Sequence, residues 1–120
     1  VVSVQNPIRL SRVTEPQPDL MLLEWRDDYY RSRMPAPADV RLLVEVADSS
    51  LAFDRGVKLR LYARAGIPEV WLVDIAARRL TVHRDPGADR YEHETVLGPG
   101  DRIAPRQYPD APLEVIRLVG

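Results

Sequence analysis

Apolar and polar positions alternate with a period of two over most of this chain and follow a helical period over one stretch. VVSVQ and IRLSRV read as strands on either side of an Asn6-Pro7 break, and Leu20 to Trp25, LMLLEW, has the length of a buried strand. The charged stretch Arg26 to Arg33, closed by MPAPAD, reads as a loop or edge segment. From Val40 to Ala47 the sequence VRLLVEVA puts Leu42, Val44 and Val46 on one face and Leu43, Glu45 and Ala47 on the other. Both faces are largely apolar, which predicts a central strand covered on both sides.

Asp48-Ser49-Ser50 then supplies N-cap chemistry, and Leu51 to Ala65 carries a helical pattern closed by Gly66 with Pro68 beyond it. EVWLVDI and RLTVHR predict a β-hairpin across Ala76-Ala77, with Asp74 closing its turn. YEHETVL predicts a further strand, Gly98-Pro99-Gly100-Asp101 a turn, and LEVIRLV a closing strand. The fold class is therefore α/β or α+β: a strand-rich sheet with one packed helix at about residues 51–65. Such a sheet needs more helical cover than the pattern supplies, and a missing N-terminal helical segment would account for that.

Composition narrows the chemistry. At 120 residues and 13.7 kDa, a single domain spanning 1–120 is expected. The eleven prolines punctuate the chain without forming a linker. No run approaches a membrane span, and VVSVQNPIRL lacks the layout of a signal peptide, so a cytoplasmic protein is expected. The first residue is Val, as in a processed or trimmed product. Seventeen basic against eighteen acidic side chains leave a net charge of -1, which argues against a polybasic nucleic-acid reader. Zero Cys excludes disulfides, thiol catalysis and Cys-based zinc sites. With two isolated His, any metal site would rest on carboxylates and water, which suits magnesium or manganese.

Four side chains stand out. On a helical wheel, Leu51, Leu61, Tyr62 and Ala65 share an arc opposite Arg60 and Arg64, and Asp54 and Lys58 fall inside the apolar arc. Burying them is costly unless they pair or serve a site; an Asp54–Lys58 helix pair is the simplest alternative. Glu45 interrupts an apolar strand and should either rise in pKa or find a cation, which Lys58 on the following helix can supply as a plain buried bridge. Asp19 begins the LMLLEW strand after Glu15-Pro16-Gln17-Pro18, where a turn role is the alternative. Together, two carboxylates and an inward lysine suit a divalent cation and phosphodiester hydrolysis.

The segments VSVQNPIRL, EPQPDLMLL, LLVEVADSS, DRGVKLRLYARAGIPEVWLVD and LGPGDRI carry a resemblance to the Uma-type restriction endonuclease family, within the PD-(D/E)xK nuclease superfamily. The resemblance covers nearly the whole chain. It implies a restriction-endonuclease-like mixed β-sheet, with Asp19 as the PD aspartate and Glu45 as the second metal-binding acid. Ala47 stands where the usual lysine would be, and the family's lysine from the following helix points to Lys58, the chain's one lysine. A Mg²⁺- or Mn²⁺-dependent endonuclease acting on DNA follows from the resemblance, with a homodimer as a further expectation. Members of that family usually carry a further N-terminal helical segment ahead of the part seen here, often bearing an acid near the metal, so a fragment is expected. The rival reading is a non-catalytic module that keeps the scaffold and binds or dimerises through a sheet edge. Asp54 could order an outer-shell water. Trp71 and Tyr62 are expected in the core, His83 and His93 in solvent, and Arg26, Arg31 and Arg33 in a solvated loop or against phosphates.

Overall fold

A computed structural model describes residues 2–4, 8, 10, 18–24, 34–46 and 52–120, and for residues 4 and 52–55 the backbone alone. Six strands form one sheet in chain order: β1 (Val2–Val4), β2 (Leu20–Leu23), β3 (Val40–Val46), β4 (Glu69–Asp74), β5 (Arg79–Pro86) and β6 (Tyr91–Leu97). Neighbours pair antiparallel except β3 and β4, which run parallel and are joined through the helix α1 (Ala52–Arg64). A parallel pair requires such a crossover, and this one lays α1 over the sheet. The predicted strands at VVSVQ, LMLLEW and VRLLVEVA, the hairpin and YEHETVL all appear, at slightly different bounds. Most of IRLSRV, Trp25 to Arg33 and Asp48-Ser49-Ser50 lie outside the described residues.

Alternation in β3 divides the core in two. Leu43 packs with Ile8, Met21, Leu23, Tyr62, Ile67 and Val70 on the α1 side. Leu42 packs with Trp71, Val73, Leu80 and Val82 on the other side. Both faces of β3 are thus covered, as its sequence predicts.

The second face corrects the reading of the closing segment. LEVIRLV is not one strand: Leu113–Glu114 (β8) pairs briefly with Arg102–Ile103 (β7), and Ile116–Val119 turns into a short helix, α2. Val115 and Val119 are both buried against Trp71, Val73 and Leu80. Their spacing of four residues is a helical repeat, which overrides the short run of alternation at Leu113 to Val115. α2 therefore provides helical cover that the sequence pattern did not reveal.

A buried carboxylate ties this region to the sheet. Glu69, 1% exposed, accepts hydrogen bonds from Trp71 Nε1 at 2.7 Å, Arg84 Nε at 2.8 Å and the Arg106 backbone N–H at 2.8 Å. Arg84 also donates to the Ala104 carbonyl. A buried anion is tolerable when its oxygens are satisfied and a cation faces it, and both conditions hold.

α1 ends as predicted at Gly66, whose φ of 79° lies in the left-handed region. The Gly66 N–H donates to the Ala63 carbonyl at 3.0 Å and the Ile67 N–H to the Tyr62 carbonyl at 3.1 Å. This is a Schellman closure, completed by the burial of Ile67 in the same cluster as Tyr62. Asp74 closes the hairpin turn, accepting the Ala77 N–H at 3.0 Å.

Candidate functional site

The last residues of β3 lie between β2 on one side and β4 on the other, beneath α1. Glu45 shares its face with Leu43 and points toward the helix, 8% exposed. Val46, one residue on, is 47% exposed, so the carboxylate sits where the covered sheet opens to solvent.

Two helix residues one turn apart address this carboxylate. The Tyr62 hydroxyl donates to Glu45 Oε1 at 2.7 Å, and Lys58 Nζ stands 3.9 Å from Glu45 Oε2. Positions i and i+4 lie on one helix face, so one carboxylate can meet both. Asp19, the residue just before β2, is held by a hydrogen bond from the Val46 N–H to its Oδ2 at 2.7 Å. The structure thus gathers Asp19, Glu45 and Lys58 at one end of the sheet. The side chain of Asp54, and the whole of Arg26, Arg31 and Arg33, lie outside the described residues.

Electrostatics mark Glu45 as the strained member. Burial pushes its proton affinity above the ordinary carboxylate range; the Tyr62 hydrogen bond and the Lys58 charge offset this in part, and the neighbouring Asp19 carboxylate adds to the rise. Tyr62 is raised as well, first by burial and then by the Glu45 charge, so its hydroxyl stays protonated and acts as a donor. Two acids and one ammonium leave the cluster one negative charge in excess when all are ionised.

Tyr62 belongs to the site although its sequence context reads as core. Both descriptions hold: the ring is fully buried with Met21 and Leu43 while its hydroxyl reaches the acid. The signal in the sequence is its place one turn after Lys58 on the same inward arc of the helix.

His83 is a correction. It is 7% exposed rather than solvated, because it lies opposite Val70 on the α1 side of the sheet and the Tyr91 ring packs 5.8 Å from its own. Burial lowers its proton affinity, with the nearby Glu94 charge opposing, and the imidazole is neutral at pH 7. Its Nε2 is buried without a hydrogen-bond partner among the described residues. It lines a cleft of about 370 Å³ over β5 and β6 with Leu59, Arg60, Tyr91 and Glu94, and none of the three site residues lines that cleft. His93, by contrast, is exposed and pairs with Asp85 at 3.2 Å. Trp71 is core, as expected.

Comparison with known proteins gives a consistent picture. Residues 1–115 match the family model described as Uma2, putative restriction endonuclease. The chain is also similar to a crystal structure described as a putative nuclease belonging to DUF820 from Anabaena variabilis, with a TM-score of 0.75 at 13% identity. That match covers 98% of this chain and 66% of the other, so this chain spans under two thirds of that protein's length. No curated protein matches. At this identity the similarity carries the fold: the six-stranded mixed sheet is restriction-endonuclease-like.

Proposed function

The chain belongs to the Uma2 family of putative restriction endonucleases, and on that premise we propose that it hydrolyses DNA phosphodiester bonds with Mg²⁺ or Mn²⁺ held by Asp19 and Glu45. The observation that carries this reading is the meeting of Asp19, Glu45 and Lys58 at the open end of β3.

The donor set fits such an ion. Carboxylate oxygens are hard ligands, and Mg²⁺ commonly takes one or two of them while keeping waters and substrate phosphate oxygens for its remaining positions. Among the described residues no group of three His, Cys, Asp or Glu converges, so two protein carboxylates match that pattern better than a zinc cage. The excess negative charge and the raised proton affinity of Glu45 both favour a cation there. A bound divalent ion supplies a polarised phosphoryl oxygen and a water of lowered pKa.

The chain's own residues do the rest. The Val46 N–H fixes one oxygen of Asp19 and so holds its carboxylate beside Glu45. The Tyr62 hydroxyl holds Glu45 Oε1, so Oε2 is the oxygen on the Lys58 side. The Lys58 ammonium donates to the attacking water and stabilises negative charge growing on the phosphoryl group, where preorganised donors are worth most.

The test is nicking of supercoiled plasmid by the purified protein with Mn²⁺, against Lys58→Ala at matched folding. Loss of a preorganised donor predicts a drop of about 100-fold or more. Cleavage at equal rates in both proteins removes Lys58 from the mechanism. Absence of any calorimetric heat on Mn²⁺ titration would instead leave a non-catalytic scaffold that binds or dimerises.

A further inference from the structure

We infer that Tyr62 is a positioning residue that makes Glu45 a one-oxygen metal donor, and that it thereby sets the preference of the site for Mg²⁺ or Mn²⁺ over Ca²⁺. The inference rests on the reading of Asp19 and Glu45 as the metal-holding pair. Three observations lead to it.

The contact is short and enclosed. Tyr62 is fully buried, and its hydroxyl lies 2.7 Å from Glu45 Oε1. A hydrogen bond to an ionised acceptor is stronger than one between neutral groups, and this one is shielded from water on the tyrosine side.

The tyrosine has little freedom to move. Its carbonyl accepts the Ile67 N–H in the closure of α1, and its ring is clamped among Met21, Leu43, Ile67 and Val70. A donor held at both ends of its side chain fixes the carboxylate plane rather than following it. Lys58, one turn earlier, stands at 3.9 Å, a looser approach consistent with charge attraction rather than a tight hydrogen bond.

The two oxygens of Glu45 therefore differ. Oε1 is engaged by the hydroxyl, and Oε2 is the oxygen that Lys58 approaches, with the Asp19 carboxylate beside the same acid. A carboxylate so oriented offers one oxygen to an ion. Mg²⁺ requires near-ideal octahedral geometry and few protein ligands, whereas Ca²⁺ takes six to eight oxygens and gains from two-oxygen carboxylates. A group that orients a ligand without touching the ion commonly changes metal affinity by about 10- to 100-fold.

The experiment is calorimetric titration of Mg²⁺, Mn²⁺ and Ca²⁺ into wild type, Tyr62→Phe and Tyr62→Met, with Tyr91→Phe as control. Tyr91 is a second, partly buried tyrosine packed against the same cluster; its hydroxyl donates to the Ile67 carbonyl at 2.7 Å rather than to Glu45. Circular dichroism verifies folding, and Tyr62→Met serves if Tyr62→Phe does not fold. The expected result is a shift of about 10-fold or more in the Mg²⁺ to Ca²⁺ affinity ratio toward Ca²⁺ in the Tyr62 variants, with the ratio of Tyr91→Phe unchanged. An unchanged ratio in variants that still bind metal overturns the inference while leaving the metal site intact. Equal shifts in the Tyr62 and Tyr91 variants show a structural effect and overturn it too. Wild type that binds no divalent ion overturns the underlying site, and this inference with it.

Discussion

Lys58 Nζ stands 3.9 Å from Glu45 Oε2, although the two belong to different elements. The parallel pairing of β3 with β4 makes this approach possible, because the chain must cross back over the sheet between them and α1 is that crossing. The ammonium thus reaches the acid from the crossing helix rather than from the strand that carries Glu45.

Replacing Lys58 by Arg should not preserve cleavage. A planar guanidinium prefers a two-point grip on a carboxylate, and Glu45 lies within reach to provide it. Metal binding should persist while plasmid nicking falls by about 10-fold or more, as single-turnover rates with Mn²⁺ would record.

Glu45→Gln should separate stability from metal binding. Burial lifts the folded-state proton affinity of Glu45 above its ordinary 4.5, so the folded protein holds that proton more tightly than the unfolded chain. The resulting stabilisation is fully present below pH 4.5 and fades as pH rises through the folded value. The glutamine variant lacks this slope, and its amide oxygen still accepts the Tyr62 hydroxyl. Urea unfolding across pH should therefore show the variant gaining on wild type as pH rises. With Mn²⁺ at about 100 times its Kd the order should reverse, since a ligand at that level adds about 2.7 kcal/mol to the protein that binds it.

His83 has the opposite sign. Its folded-state proton affinity lies below the ordinary 6.5, so its contribution is complete above pH 6.5 and is lost as pH falls through the lowered value. His83→Phe should flatten the decline of stability on acidification. An unchanged acid limb in urea unfolding would show that the buried imidazole is not its source.

Arg84→Met should be among the most damaging changes away from the site. It removes the cation facing the buried Glu69 and the tie to the Ala104 carbonyl. Stranding a buried charge costs about 3–5 kcal/mol. The urea midpoint should drop accordingly, and Glu69→Gln in the same chain should restore part of the loss.

Much of the sheet was legible because strand alternation and turn chemistry are local signals. Asp74, Gly66 and the Gly98 to Asp101 turn each act within a few residues, and each lies where the pattern predicts. Glu45 was legible as a charge inside an apolar strand. The remainder depended on contacts distant in sequence. Val115 and Val119 reveal a helix only once Trp71 and Leu80 are seen to receive them. His83 is buried through Val70 and Tyr91, which no local pattern announces. Glu69 begins a strand like any surface acid, and only Arg84 and the Arg106 backbone explain its burial.

Strand β6 borders the sheet as the described residues show it, and Glu92, His93 and Glu94 are all exposed along it. Two copies approaching rim to rim at neutral pH would bring like charges together before their backbones could join, which discourages stacking into fibres. That safeguard weakens as dissolved salt screens the charges. Concentrated stocks should accordingly stay clear at low ionic strength and turn turbid in concentrated salt.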